Sequence, residues 1–250
     1  MTVEIKNLSK AFDDHVVLDD ISLNIKEGEN FVVFGRSGTG KSVLLKCIVG
    51  LLVPDAGEVM IDSKNILKMS KKELNKIRKH IGFVFQGSAL YDSMTVKENL
   101  EFPLMRNFDF PGKERERKIR TVLEKVDLLD AINKMPAELS GGMKKRIGLA
   151  RSIITEPQLI LYDEPTTGLD PITTKEISRL IVDLQKDLNV TAIVVTHDLI
   201  CARIIADRAV VLKDGKIRYE GELNKLISTN DEFLNDFFDR EFFEDKKGSK

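Results

Sequence analysis

Short apolar runs separated by helical patterns recur along the chain, which is typical of an α/β fold with a parallel sheet. A strand that is buried on both faces needs apolar side chains at almost every position, and four runs meet this requirement. These runs lie at residues 31–34, 81–86, 159–163 and 191–196. We therefore predict a doubly wound sheet built from these four strands.

A different pattern precedes the first buried run. Residues 3–8 and 16–25 alternate apolar and polar side chains over short lengths, and residues 57–62 form a further short strand pattern. Alternation of this kind is typical of strands with one solvated face, as in antiparallel sheets. The pattern predicts a small antiparallel β-subdomain that leads into the parallel core.

The middle of the chain changes to a helical pattern at residues 95–132. Its apolar side chains fall on one face, and residues 113–120 supply a charged opposite face. The apolar positions are Ile119, Val122, Leu123, Val126 and Leu129. We expect a helical subdomain inserted at about residues 95–150, within one catalytic domain over residues 1–228.

Beyond that domain, residues 229–250 form a predicted C-terminal amphipathic tail. Large apolar side chains recur there at helical spacing: Phe233, Leu234, Phe237, Phe238 and Phe242. Leaving such a stripe in water forfeits roughly 1.5 to 3 kcal/mol per aromatic side chain, so we expect it to dock on a surface. The subunit's own core and a neighbouring subunit are both open as that surface.

Composition and charge narrow the choice of partners. The chain has 250 residues, of which 42% are hydrophobic, enough to build one or at most two domains with a sizeable core. Its 39 basic and 40 acidic residues leave a formal charge of -1, which gives no general electrostatic reason to expect nucleic acid as a partner. Cys47 and Cys201 are isolated and favour a reducing compartment such as the cytoplasm. Because no apolar run approaches the roughly 18 residues of a membrane span, any membrane role requires a partner.

Residues 35–42 read Gly-Arg-Ser-Gly-Thr-Gly-Lys-Ser and fill every fixed position of a phosphate-binding loop. The loop follows a buried strand and precedes a helix, so its backbone N–H groups and the helix N-terminus would make an anion site. Lys41 would reach the β- and γ-phosphates, and the Ser42 hydroxyl would hold Mg²⁺. The predicted nucleotide-binding residues are Gly35, Arg36, Ser37, Gly38, Thr39, Gly40, Lys41 and Ser42.

Polar side chains follow three other buried strands, where ligands collect in doubly wound sheets. Asp163 and Glu164 end one strand, and we expect Asp163 to bind in the Mg²⁺ shell while Glu164 faces an attacking water. Gln86 ends another strand and is either a ligand in the nucleotide site or a loop residue with a backbone hydrogen bond. His197 ends the last strand; a lone histidine is more often structural, but this one lies at the same edge as Gln86 and Glu164.

Two further features have a structural and a functional interpretation. The segment Leu139-Ser140-Gly141-Gly142-Met143 predicts a helix capped by Ser140, and its free N–H groups could also bind an anion. Phe12 lies between the first two strands, where its ring could stack on an adenine or pack beside a turn. The residues alone leave both alternatives open. Asp170 precedes Pro171 and is expected to cap the next helix.

In this order, the motifs resemble those of the nucleotide-binding subunit of ATP-binding cassette (ABC) transporters over residues 1–225. The resemblance implies a RecA-like P-loop NTPase core with an antiparallel β-subdomain and an inserted helical subdomain. It also implies roles for the residues quoted above: Gln86 in the Q-loop at the Mg²⁺, Ser140, Gly141 and Gly142 in the signature, Asp163 and Glu164 as the Walker B pair, Asp170 in the D-loop, His197 as the switch histidine and Phe12 as the adenine-stacking aromatic.

The same resemblance implies partners and location. Two subunits of the family pack head to tail, so that the signature of one closes on the γ-phosphate held by the other. We therefore expect an ATP- and Mg²⁺-dependent homodimer that acts on integral membrane permease subunits. It would be cytoplasmic and peripheral on the inner face of the cell membrane. Two other functional classes compete with this interpretation, a cassette ATPase for DNA repair or ribosome work and a P-loop kinase. The first usually has a coiled-coil insertion or two cassettes in one chain, and the second gives no role to residues 139–143.

One departure from the common signature narrows the resemblance. Met143 stands where the family usually has Gln, so the contacts of that Gln are not carried over to this chain. Met143 with Lys144 and Lys145, together with residues 85–91, resembles the ATPases of bacterial Mla (MCE-type) phospholipid transport systems. This predicts lipid transport at the cell envelope, with an MCE-type substrate-binding protein as a further partner. The alternative is an importer for a polar solute, because cargo, direction and permease are determined by other chains.

Overall fold

A computed structural model describes residues 1–229 together with Asp231 and Leu234, and it confirms the predicted α/β fold. The strands are β1 (Val3–Phe12), β2 (His15–Ile25), β3 (Asn30–Phe34), β4 (Ala56–Ile61), β5 (Lys64–Asn65), β6 (Ile81–Val84), β7 (Leu159–Asp163), β8 (Thr191–Thr196), β9 (Arg208–Lys213) and β10 (Lys216–Gly221). The helices are α1 (Lys41–Ile48), α2 (Lys71–Arg78), α3 (Val96–Asn107), α4 (Gly112–Lys125), α5 (Gly141–Ile153), α6 (Pro171–Leu188), α7 (Leu199–Ile205) and α8 (Leu223–Ser228).

The central sheet has six strands in the order β10-β9-β3-β8-β7-β6. All neighbours pair in parallel except β10, which is antiparallel to β9 at the edge. Every residue of β3, β7 and β8 is buried, because both faces of the sheet are covered. This explains why these strands read as continuous apolar runs.

Two apolar clusters cover the two faces of this sheet. On one face, Phe31 and Val33 pack with α1 and with the four-stranded sheet, whose order is β2-β1-β4-β5. On the other face, Val32 and Phe34 pack with the helices from α3 to α8. Alternate residues of β3 therefore belong to different clusters, as the period of a strand requires.

The four-stranded sheet is antiparallel, as its alternation predicts. Its register shifts between Lys6 and Ser9, where β1 pairs with β4. Gly57 lies opposite this shift with a φ of +91°, and a Cβ there would approach the backbone oxygens of Lys6 and Asn7 to 2.5 Å. Only glycine fits this close approach between the two strands.

The helical pattern of residues 95–132 forms two helices, α3 and α4. Thr95 caps α3 in a capping box with Glu98, and Pro111 directly precedes α4. α3 continues past the internal Pro103, and it ends at Phe108, whose backbone is extended. The apolar face of α4 is buried as predicted, and the order α3, α4, α5 fills the region expected for the insert. The insert's bounds at about 95–150 stay a prediction.

Both cysteines are buried and free. Burial raises the pKa of the Cys47 thiol to about 11 and that of Cys201 to about 12. Thiols with such pKa values stay protonated and unreactive at neutral pH. Their predicted role as small core residues is confirmed.

The last described residues continue the core. Leu234 is fully buried in the cluster that also contains Leu223 and Leu226 of α8. The Tyr219 hydroxyl donates a hydrogen bond of 2.9 Å to the carboxylate of Asp231. The four phenylalanines of the predicted tail stripe lie outside the described residues: Phe233, Phe237, Phe238 and Phe242. The boundary between domain and tail at 228/229 therefore stays a prediction.

Within the part of the chain that the structure describes, the search for a helix both long and apolar enough to span a membrane finds none.

The turn before α3 depends on one buried amide, Asn99. Its side-chain oxygen accepts a hydrogen bond of 2.8 Å from the Tyr91 amide, and its side-chain nitrogen lies 3.0 Å from the Met94 carbonyl. We predict that Asn99→Ala lowers the free energy of unfolding by about 2 kcal/mol or more, because buried backbone groups lose their partners. Urea denaturation followed by circular dichroism measures the change.

The matched control is Asn107→Ala at the other end of α3. The Asn107 side chain makes no hydrogen bond with the described residues. This change should alter the free energy of unfolding by no more than about 0.5 kcal/mol. Equal effects of the two substitutions would contradict the role of the Asn99 amide.

Candidate functional site

The predicted site residues converge at the carboxyl ends of four parallel strands. Residues 35–42 follow β3, Asp163 ends β7, His197 follows β8, and Gln86 lies two residues beyond β6. They surround an open pocket of about 340 Å³. Its lining consists of Val17, Ser37, Gly38, Gly40, Lys41, Ser42, Val43, Gln86, Glu164 and His197.

The loop after β3 has the backbone of a phosphate-binding loop. Gly40 has a φ of +98° and stands at the start of α1, where a Cβ would lie 2.8 Å from the Val17 carbonyl oxygen. The first turn of α1 has no acidic residue that would compete for its free N–H groups. A helix N-terminus in this state is a favourable environment for a phosphate.

Lys41 is buried inside this loop. Its ammonium donates hydrogen bonds to the carbonyl oxygens of Gly35, at 2.6 Å, and Arg36, at 3.0 Å. It also lies 3.1 Å from a carboxylate oxygen of Glu164. These three partners hold the charge at the floor of the pocket, directly beside the helix N-terminus.

Two oxygen ligands lie side by side at the start of α1. The Ser42 hydroxyl donates a hydrogen bond of 2.6 Å to the Asp163 carboxylate. A hydroxyl and a carboxylate suit Mg²⁺, which typically takes one or two protein oxygens and completes its shell with water and phosphate oxygens. Among the described residues, no group of three or more His, Cys, Asp or Glu could enclose a metal by itself. The donor set therefore fits an ion that is shared with a nucleotide.

Glu164 is the most constrained residue of the pocket. It adopts a φ of +50°, and its amide donates to the Val195 carbonyl at 2.9 Å. One carboxylate oxygen faces Lys41, and the other lies 2.9 Å from Nδ1 of His197. Backbone strain of this kind in a non-glycine residue is concentrated at functional sites.

The same contacts determine the charge of Glu164. Burial by itself raises the pKa of this carboxyl, but the hydrogen bond with His197 and the positive charge of Lys41 outweigh burial. The pKa of Glu164 therefore lies below its ordinary value. The carboxylate stays ionised at neutral pH, as a group that accepts a proton or polarises water must be.

A hydrogen bond that the sequence analysis missed joins the loops after β7 and β8. The Thr166 hydroxyl donates a hydrogen bond of 3.0 Å to the carboxylate of Asp198. The other oxygen of Asp198 caps α7 by accepting from the amides of Ile200 and Cys201. The position of Asp198 before an apolar helix was a capping signal that could have identified it. Its cross-loop bond depends on tertiary structure.

Gln86 lies in the pocket lining and is exposed, while its backbone carbonyl is hydrogen-bonded. That carbonyl accepts a hydrogen bond of 2.6 Å from the ammonium of Lys145 in α5. Lys145 stands in a basic run, a pattern typical of a solvated surface, so its sequence context does not indicate a place in the site.

The signature residues form a separate surface. Ser140 caps α5 by accepting from the Met143 amide at 3.3 Å, as predicted. A Cβ on Gly142 would lie 3.1 Å from a methyl group of Thr173, so the start of α5 packs beside the start of α6. Asp170 caps α6, which confirms that prediction. Ser140, Gly141 and Gly142 do not contribute to the described lining of the pocket.

Phe12 also lies apart from the described lining of the pocket. It ends β1, its ring is 44% exposed, and the Lys10 ammonium lies 5.4 Å from the ring centroid. Stacking on adenine and packing beside the turn therefore both remain open for Phe12.

Comparison with known proteins identifies the family of this site. The sequence matches the family described as ABC transporter over residues 18–167. It is 40% identical over 229 residues to the intermembrane phospholipid transport system ATP-binding protein MlaF of Haemophilus influenzae, covering 92% of this chain and 87% of that protein. It is also 40% identical to the methionine import ATP-binding protein MetN of Carboxydothermus hydrogenoformans, covering 91% of this chain and 69% of that protein.

Solved structures agree with the sequence comparison. A dimeric post-hydrolysis structure of the ATP-binding cassette MJ0796, bound to ADP and Pi, superposes with a TM-score of 0.81 at 38% identity. The match covers 88% of this chain and 98% of that chain. The structure of cbiO1 from Clostridium perfringens gives a TM-score of 0.83 at 32% identity and covers 90% of each chain. The fold, the matched sequence and the phosphate-loop pocket together place this chain in the ABC transporter family, as an ATP-hydrolysing cassette.

Proposed function

We propose that this ATPase drives phospholipid transport at the cell envelope through a separate membrane permease, with Glu164 as the residue that polarises the attacking water. The observation that carries the catalytic part is the carboxylate of Glu164, held between Lys41 and His197. The lipid part is supported by the likeness to MlaF, a protein of a phospholipid transport system.

In this mechanism, each pocket residue has one task. The loop amides and Lys41 hold the β- and γ-phosphates and offset the charge that develops during transfer. His197 keeps the carboxylate of Glu164 oriented, since its Nδ1 lies 2.9 Å from that carboxylate. Phosphate oxygens offer Lys41 an alternative partner to Glu164, which leaves one carboxylate oxygen available to a water.

Mg²⁺ is the proposed metal, held by Ser42 and Asp163 with Gln86 at the edge of its shell. When bound, the ion neutralises charge on the phosphates and fixes their orientation. The adjacent hydroxyl and carboxylate oxygens of Ser42 and Asp163 support this assignment, because they are hard ligands within 2.6 Å of each other. Gln86 belongs to the lining of the same pocket.

A head-to-tail homodimer would complete the site. Ser140, Gly141 and Gly142 stand at a helix start with free N–H groups, which suits a γ-phosphate, but this surface is separate from the phosphate loop of its own chain. A second subunit in the opposite orientation would bring its signature to the pocket. The dimeric structure of the related cassette MJ0796 supports such an arrangement.

The permease would dock beside the Q-loop segment. A groove of about 370 Å³ lies between β6 and the helical region, with Phe85 and Tyr91 in its lining. Phe85 is 40% exposed and Tyr91 is 41% exposed, and partly exposed aromatic side chains are frequent anchors in protein interfaces. Docking here would place the cassette as a peripheral subunit on the inner face of the cell membrane. An MCE-type substrate-binding protein would join the complex through the permease.

An importer of a polar solute is the second candidate function. Its support is the likeness to MetN, a methionine import protein, which matches the chain at the same 40% identity as MlaF. Met143 and residues 85–91, which resemble the Mla-type ATPases, favour phospholipid as the cargo.

The catalytic assignment predicts the outcome of Glu164→Gln. This substitution keeps the size of the side chain and removes its charge, so ATP binding should persist while kcat falls at least about 100-fold. Steady-state ATPase assays and equilibrium nucleotide binding measure the two quantities. The control is Glu156→Gln, which removes an exposed carboxylate paired with Lys118. Substantial turnover by the Glu164 variant would refute the assignment.

The head-to-tail dimer predicts complementation between two inactive variants. Ser140→Arg blocks the signature surface, and Lys41→Ala weakens phosphate binding in the other half of the site. A mixed dimer has one site with both halves intact and one with both halves damaged. In an equal mixture about half of the dimers are mixed, so up to about a quarter of wild-type activity should return. Activity no greater than the sum of the two variants alone would show that each site is formed within one chain.

Phospholipid cargo predicts an envelope defect in cells that lack the gene. Deletion should change the lipid composition of the envelope and its sensitivity to detergent, because lipid transport would lose its motor. The wild-type gene should restore both properties, and the Glu164→Gln variant should not. A normal envelope combined with lost uptake of one polar solute would support the importer instead.

A further inference from the structure

One face of α5 packs against residues 86–91, the segment that begins with Gln86. Three residues of α5 at spacings of three point to this segment: Lys145, Gly148 and Arg151. A Cβ on Gly148 would lie 3.2 Å from Cβ of Ser88, so the two backbones approach closely here. The guanidinium of Arg151 donates to the carbonyl of Ala89 and lies 4.8 Å from the ring centroid of Tyr91. The contacts fix this segment to α5 along two turns of the helix.

The backbone of the segment needs such support. Ser88 and Ala89 have φ values of +62° and +47°, so two successive non-glycine residues adopt the left-handed region. Each costs of order 1 kcal/mol and persists only where neighbouring structure holds it. The contacts with Gly148 and Arg151 are at these two residues.

Lys145 extends this arrangement into the active site. The residue is only 7% exposed. Its ammonium donates a hydrogen bond of 2.6 Å to the carbonyl oxygen of Gln86 and one of 3.4 Å to the carbonyl oxygen of Glu164. Burial lowers the pKa of Lys145, while the negative charge of Glu164 acts in the opposite direction. A buried ammonium is expensive to desolvate unless hydrogen bonds satisfy it. Here the two acceptors belong to the two residues proposed to position Mg²⁺ and water.

We propose that Lys145 is a positioning residue of the ATPase, which ties the backbones of Gln86 and Glu164 to one point on the helix that Ser140 begins. The proposal rests on the roles in hydrolysis proposed above for Gln86 and Glu164. Lys145 lies five residues beyond Ser140, which is about 7.5 Å along a rigid helix. A displacement of the helix start is therefore transmitted to both catalytic loops through one ammonium group. The shorter bond makes Gln86 the principal partner.

The first test compares substitutions at Lys145 in the full-length protein. Lys145→Met keeps most of the side-chain volume but donates no hydrogen bond, so kcat should fall about tenfold or more while KM for ATP stays within about threefold. Lys145→Arg should recover most of the lost kcat, because a guanidinium can donate to both carbonyls. Recovery of kcat in Lys145→Arg would show that the hydrogen bonds of residue 145, and not its packing, support turnover.

Lys144→Met is the matched control. Lys144 is the preceding residue of α5, is only partly buried, and makes no side-chain hydrogen bond with the described residues. Its loss should leave kcat within about twofold of the wild-type value. An equal decrease in both variants would mean that positive charge on the helix matters, and the positioning role would be overturned.

A double-mutant cycle with Gln86→Ala tests which residue Lys145 acts through. Gln86→Ala removes the side chain but keeps the backbone carbonyl that accepts from Lys145. In that background, Lys145→Met should lower kcat by no more than about twofold, because the positioned side chain is absent. Full additivity would show that Lys145 does not act through Gln86, and it would overturn the assignment of Gln86 as the principal partner.

Folding and the underlying assignment are checked separately. Thermal unfolding and ATP-binding stoichiometry give the folded fraction of each variant, and a kcat decrease that disappears after this correction would reduce Lys145 to a structural role. Full turnover by Glu164→Gln would refute the proposed function itself. Loss of turnover by Glu164→Gln combined with normal kcat in Lys145→Met would refute the positioning role alone.

Discussion

Parallel pairing of β3, β8 and β7 is the constraint on which the site depends. Phe34 pairs with Thr196 and Asp163 pairs with Val195, so the three strands end at nearly the same level. The phosphate loop, the acidic pair and His197 must therefore emerge at one edge of the sheet. No single local sequence could bring these groups together, because the phosphate loop lies more than 100 residues before the acidic pair and His197. The buried apolar strands are thus the cause of the catalytic geometry.

Because the residues at this edge of the sheet are buried, each charge there needs hydrogen bonds or an opposite charge as a partner. Lys41, Glu164 and Lys145 are all buried, and each is satisfied by carbonyl oxygens or by an opposite charge. An isolated charge at these positions would be neutralised or would destabilise the fold. Because Lys41 and Glu164 already neutralise each other, the pocket is polar and preorganised without being unstable. A nucleotide would then exchange these contacts for its own at little cost in reorganisation.

Local patterns predicted much of this structure, and the remainder depends on tertiary contacts. The phosphate loop and the caps of α5 and α6 were readable from sequence because each is determined within a few residues. The continuous apolar runs predicted β3, β7 and β8 for the same reason. Pro111 directly precedes α4, and proline is tolerated at a helix start. Lys145 could not have been distinguished from Lys144, because only packing against Gln86 makes one of the two buried.

Identity to MlaF and to MetN is equal at 40%, and the structure offers a physical reason. In the proposed mechanism the pocket lining would face phosphates, a metal ion and water, whose chemistry is the same whatever is transported. Cargo therefore places no requirement on Lys41, Asp163 or Glu164. Differences between transport systems must act on surfaces that meet other chains. The groove with Phe85 and Tyr91 is the surface proposed above for the permease, and α5 connects it through Arg151 and Lys145 to Gln86 and Glu164. A permease that shifts Tyr91 thus acts on the same helix that holds Gln86.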